Sequence, residues 1–175
     1  MKQARLSSVA QKFILHWGEM GTRWGVNRTV AQIHALLYVS PEPLNAEDIA
    51  DILSVARSNV SASLKELQGW RLVKTARVLG DCRDHFETHS DVWELFKVVL
   101  EERKRREIDP TVAVLRECVA EAGKDAGTQE RLKELLGFIE TWDAWFDDVR
   151  GLSPAALRNL AKLGSKVQKL VSLAG

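Results

Sequence analysis

The chain has 175 residues, with 25 basic and 24 acidic side chains and two cysteines. That length makes one domain or two small ones with a real core, and two cysteines exclude a disulfide framework. No apolar run approaches the ~20 residues that span a bilayer, no signal peptide is visible, and the expected location is the cytoplasm.

Residues 8–20 read as a first helix with Val9, Phe13, Ile14 and Trp17 on its apolar side. The run HWGEMGTRWG follows, in which Gly18, Gly21 and Gly25 are expected to break the helix. Trp17 and Trp24 are then expected to pin the broken segment to the core, a simpler role than lining a ligand site. Residues 29–39 form a second helix with Val30, Ile33 and Leu37 inward and His34 packed beside them. Pro41 and Pro43 end it.

Asn45 is placed to cap the next helix, and Asp48, three residues later, can answer it as in a capping box. Ile49, Ala50 and Leu53 give that helix one apolar face. Ser54 and Val55 interrupt the pattern, and another helix begins near Ala56. Val60, Leu64 and Leu67 recur along it at spacings of four and three, one inward stripe. Ser58, Ser61, Ala62 and Lys65 fall on the opposite stripe. Two short helices about a tight turn, the second with a small polar outer face, make a helix-turn-helix. Small side chains let such a helix enter a major groove roughly 12 Å wide, and polar ones bond base edges. An ordinary antiparallel helix pair would also show the inward stripe, but not what comes next.

After Trp70 the apolar period changes to two. RLVKTARV reads as a strand, residues 79–82 as a turn around Gly80 and Asp81, and residues 83–88 as a second strand with His85 or Phe86 inward. A hairpin directly after a recognition helix is a wing, and its tip at residues 80–83 would lie on phosphates or reach a minor groove. From Ser54 to Arg83 six basic residues face two acidic ones, a local balance of +4. That is the electrostatic footprint of a nucleic-acid site. Candidate DNA contacts are Arg57, Ser58, Asn59, Ser61, Ala62, Lys65, Arg77 and Arg83.

Over residues 31–93 these features resemble the MarR-type winged-helix regulators. The likeness is nearest to the GbsR-like branch, in LLYVSPEPLNAEDIADIL, in VARSNVSASLKELQGWRLV, and in GDCRDHFE followed by DVW. The resemblance implies a cytoplasmic dimeric regulator, without enzymatic activity, that binds double-stranded DNA. It also implies an effector, since some relatives govern osmoprotectant genes and some respond to choline-like compounds. Related wings carry Arg directly after Gly-Asp; here Cys82 stands there and Arg83 follows. Strand residues alternate faces, so a one-residue shift can aim the arginine differently.

The remainder reads as helical. Residues 91–107 begin apolar and end in EERKRRE, where Glu101 with Arg105 and Glu102 with Arg106 are spaced as helical ion pairs on a solvated face. Pro110 opens a helix at Thr111, Gly123 and Gly127 punctuate its end, and residues 128–149 carry a run of large apolar side chains. After Ser153-Pro154, the residues Ala156, Leu160, Leu163, Val167, Leu170 and Ala174 fall on one heptad seam. The expected fold is mostly α with a small β-hairpin wing: a winged helix-turn-helix in residues 1–90 and a helical dimerisation region in residues 91–175.

Trp142, Trp145 and Phe146 are candidates for an aromatic cage around a quaternary ammonium ligand, although rings at such spacings are more often core. Against a zinc site, Cys82 and His85 point to opposite faces of a hairpin, and His85 and His89 lie roughly 13 Å apart along a strand; no cofactor is expected. Cys82 beside Arg83 invites an oxidant-sensing reading, against the commoner exposed turn cysteine. No phosphate loop or nucleophile motif points to catalysis. The rival reading is a winged-helix protein-interaction module, which acidic or bulky residues on the outer stripe would favour.

Overall fold

The computed structural model describes residues 6–123 and 125–163. The chain falls into two compact units that divide between Val98 and Val99.

In the first unit, helix α1 (Ser8–Arg23) starts at Ser7, whose hydroxyl accepts the Ala10 N–H at 3.2 Å. It runs straight through two glycines expected to break it. Their role is close approach to helix α2 (Arg28–Val39). A Cβ on Gly21 would stand 2.5 Å from the Ala31 Cβ, and one on Gly18 would stand 2.6 Å from Gln32 Cγ. Only Gly25, at φ +78°, ends the run by its backbone. Trp17 packs on the core and stacks near Phe13 at 5.3 Å, whereas Trp24 is 68% exposed and pins nothing.

Helix α2 is the centre of the unit, with Val30, Ile33, Ala35, Leu36 and Leu37 buried. Ile49, Val60, Leu64 and Leu67, from helices α3 (Ala46–Leu53) and α4 (Arg57–Gly69), complete this core. Asn45 caps α3 by accepting the N–H groups of Glu47 and Asp48 at 2.9 and 3.0 Å. Asp48 answers through its side chain, accepting from Asn45 Nδ2 at 2.6 Å. Ser54 turns the chain in the left-handed region at φ 53°, the conformation for which glycine is commonly used.

Strands β2 (Val73–Val78) and β3 (Asp81–Thr88) form the hairpin, tightly joined through Leu79 and Gly80, the latter at φ +85°. The sheet has a third strand that periodicity could not reveal, β1 (Leu44–Asn45). It pairs antiparallel with β3 through Leu44↔Phe86 and Asn45↔His85, giving the order β1-β3-β2. His85 is buried and Phe86 packs on the core.

Helix α5 (Val92–Arg103) carries the chain from the first unit into the second. There, Lys104–Ile108 forms one π-helical turn that leads directly into α6 (Asp109–Glu121). Pro110 stands in the first turn of α6, as expected, but the helical run continues into it without a break. A proline has no N–H to give to the preceding turn, and the wider π turn lies directly before it. The EERKRRE run is not simply a solvated face either. Glu102 is only 2% exposed and accepts from Arg105 and from Arg106 Nε at 3.2 Å. Burial opposes its charge, yet the two guanidiniums hold its carboxyl below the usual range.

Helix α7 (Ala126–Arg150) returns along α6. Arg116 meets Glu140 at 2.7 Å, and Lys104 meets both Asp109 and Asp143 at 2.8 Å. Residues 154–163 are helical again. Of the expected seam, Leu160 and Leu163 are 42% and 48% exposed, while Val167, Leu170 and Ala174 lie outside the described residues.

Candidate nucleic-acid interface

Helix α4 turns Val60, Ser63, Leu64 and Leu67 to the core. Its opposite arc presents Ser58, Ser61, Ala62, Lys65 and Glu66, all exposed, with Arg57 and Asn59 exposed at its edges. At its centre, Ser58, Ser61 and Ala62 are small. A groove floor could approach the helix backbone closely there, with hydroxyls and one amide in bonding reach.

The wing adds the other wall. Arg57, Arg77 and Arg83 converge on a cleft of about 550 Å³ between the start of α3, the start of α4 and the hairpin. Each of the three guanidiniums has a carboxylate partner. Arg57 Nη1 lies 2.7 Å from Glu47 Oε1, and Arg77 Nη1 lies 3.1 Å from Asp84 Oδ1. Arg83 donates from Nε to both Asp81 oxygens at 2.9 and 3.0 Å and from Nη1 to Glu47 Oε2 at 2.9 Å. These bonds push the Arg83 guanidinium further up, and they hold the Asp81 carboxyl well below the usual carboxylate range. Asp81 also accepts the Arg83 backbone N–H at 3.0 Å, which fixes the first turn of β3.

The eight sequence candidates thus fall into two groups. Arg57, Ser58, Asn59, Ser61, Ala62 and Lys65 lie on one exposed helical face, while Arg77 and Arg83 stand across the cleft on the wing. Arg77 is 76% exposed and Arg83 39%. The shift of the arginine from the position after Gly-Asp has a visible result: Arg83 is drawn onto Asp81 and Glu47, and the tip itself presents a fully exposed Leu79. Sequence reading did not single out Glu47 or Leu79. Glu47 looked like an ordinary acidic residue in a helix's first turn, and its partners are 10 and 36 residues away.

In the second unit, Trp142 and Trp145 meet edge to face at 5.4 Å, and Phe138 lies 6.3 Å from Trp142. Trp142 and Trp145 are both more than half exposed, and Phe146 is half-buried. The rings form a surface stripe on α7. No helix among the described residues is long and apolar enough to cross a membrane.

Helix-turn-helix, recognition face and hairpin in this order define a winged helix. Residues 24–84 match the model of the MarR family, so the likeness covers the core of this winged helix. Over 82% of its length, the chain is similar to a crystal structure described as a transcriptional regulator, at 20% identity. The match covers 96% of that chain with a TM-score of 0.68. Weaker likenesses include the transcriptional regulator Tm0710 from Thermotoga maritima. It is 19% identical over 77% of this chain and 91% of that one, with a TM-score of 0.39. The transcriptional regulator BldR from Sulfolobus solfataricus is 22% identical over 76% and 87%, with a TM-score of 0.38. No curated protein matches the chain.

Proposed function

We propose that the protein is a sequence-specific, duplex-DNA-binding regulator of transcription that works as a cytoplasmic homodimer. The observation that carries this reading is the outer face of α4: small and polar side chains flanked by Arg57 and Lys65, beside a wing whose arginines border the same cleft. A protein-interaction module would put bulk or acid on that face; Ser58, Ser61 and Ala62 offer neither. The likeness of residues 24–84 to the MarR family supports the same reading. Repression by occupying an operator is the mode we assign, with placement in the GbsR-like branch resting on the sequence motifs quoted above.

Residues 1–90 would read DNA, and residues 91–175 would pair two copies so that two half-sites a helical turn apart are met together. A small cation such as choline is the effector we assign, bound by Trp142, Trp145 and Phe146 through cation–π attraction. It regulates only by binding the free and DNA-bound geometries unequally. Calorimetry with choline on wild type and Trp142→Ala checks that finer point.

The main test is selection of genomic fragments by the wild-type protein, followed by affinity measurements on Arg57→Ala and Lys65→Ala. Each substitution should weaken binding. The salt slope should fall by about 0.9 log unit per log unit of salt for each phosphate that is no longer neutralised. Binding untouched by both substitutions would sink the reading.

A further inference from the structure

We propose that Glu47 is a positioning residue, whose two carboxylate oxygens tie the recognition helix to the wing and so set their spacing on DNA; this rests on the DNA-binding reading above. Its Oε1 takes Arg57 Nη1 at 2.7 Å and its Oε2 takes Arg83 Nη1 at 2.9 Å. Arg57 is the first residue of α4 and Arg83 the third of β3, so one side chain on α3 joins two elements that must touch DNA together.

Both ends of this link are themselves held. The Glu47 N–H donates to Asn45 Oδ1 at 2.9 Å, and Asn45 pairs with His85 in the sheet. Arg83 is gripped a second time by Asp81, so its guanidinium is a strut more than a swinging arm. In charge alone, a carboxylate on this face opposes binding, because it repels phosphate and neutralises arginines. Geometry and charge therefore predict opposite effects of removing it, and the sign of the effect decides between them.

The experiment uses the full chain with Glu47→Gln and Glu47→Asp. Affinity is measured for a fragment selected by the wild type and for a random duplex of equal length. Glu47→Gln should tighten binding to the random duplex, yet lower the ratio of specific to non-specific affinity about three- to tenfold, the scale of two partly exposed ion pairs. Glu47→Asp keeps the charge but is one methylene too short to span both arginines. It should lower the ratio similarly and leave random-duplex binding unchanged. Without DNA, amide hydrogen exchange across residues 81–86 should quicken in both variants while α2 stays protected. A ratio unchanged in either variant, or unchanged exchange in the wing, overturns the proposal. Should the wild type select no fragment, the DNA-binding reading fails instead, and the exchange measurement alone decides whether Glu47 holds the wing.

Discussion

His34 sits in the core layer of α2 with 8% of its surface exposed. Thr88 donates its hydroxyl to the Leu72 carbonyl at 2.6 Å, so its 3.2 Å bond to His34 Nε2 is one the imidazole N–H donates. Burial first, and the nearby His89 second, lower the His34 pKa from 6.5 to about 4. Between those two values the unfolded chain binds a proton that the folded one refuses, so stability is complete above the unfolded pKa and declines as pH falls. Urea unfolding at pH 7 and pH 5 should show a loss of about 2 kcal/mol from this group, and His34→Gln should remove that part of the slope. A slope kept in the variant assigns it to other groups. The position of His34 beside an apolar stripe was legible in the sequence as core packing. Its partner, 54 residues further on, was not, because no local pattern links a helix residue to the end of a distant strand.

At the scale of elements, the contact between α1 and α2 is set by a missing side chain. Gly21→Ala would press a Cβ to 2.5 Å from the Ala31 Cβ, against a backbone that has to shift. We expect a loss of about 1–3 kcal/mol in denaturant unfolding. Gly18→Ala meets Gln32 Cγ at 2.6 Å, a side-chain atom that a rotamer change can move, so the gain in helix propensity, about 1 kcal/mol, offsets part of the crowding. Equal losses at both sites would refute this account of the glycines. Propensity alone reads both as helix breakers, since the reason for them lies on another helix. The helix-turn-helix and hairpin were legible because each is written locally, in the Asn45 cap, the stripe of α4 and the Gly80 turn. Strand β1 is two residues long, too short for any period to register. The π turn before Pro110 was hidden because a proline reads equally well as a first-turn residue.

For the molecule as a whole, the described residues of the second unit carry an exposed apolar stripe along α7. Leu135, Phe138, Trp142 and Trp145 on α7 are 46%, 60%, 55% and 53% exposed, and Leu160 and Leu163 in residues 154–163 are nearly as open. An exposed apolar stripe such as that of α7 marks an interaction face. If the active unit is a homodimer, sedimentation should show one at micromolar concentration, and Phe138→Asp should dissociate it at least tenfold while helix content is kept. A wild-type monomer would rule out pairing and leave effector binding as the reading of Trp142 and Trp145. The first unit carries a different consequence, one of timing. Asn45 is both the last residue of β1, paired with His85, and the cap of α3, so the recognition motif lies inside a loop closed by Leu44 and Phe86. Closing some 40 residues costs entropy before any contact repays it. The residue that caps α3 is thus also the residue that the hairpin fixes in the sheet. Reader and wing therefore share one anchor residue, and a change at Asn45 would loosen both.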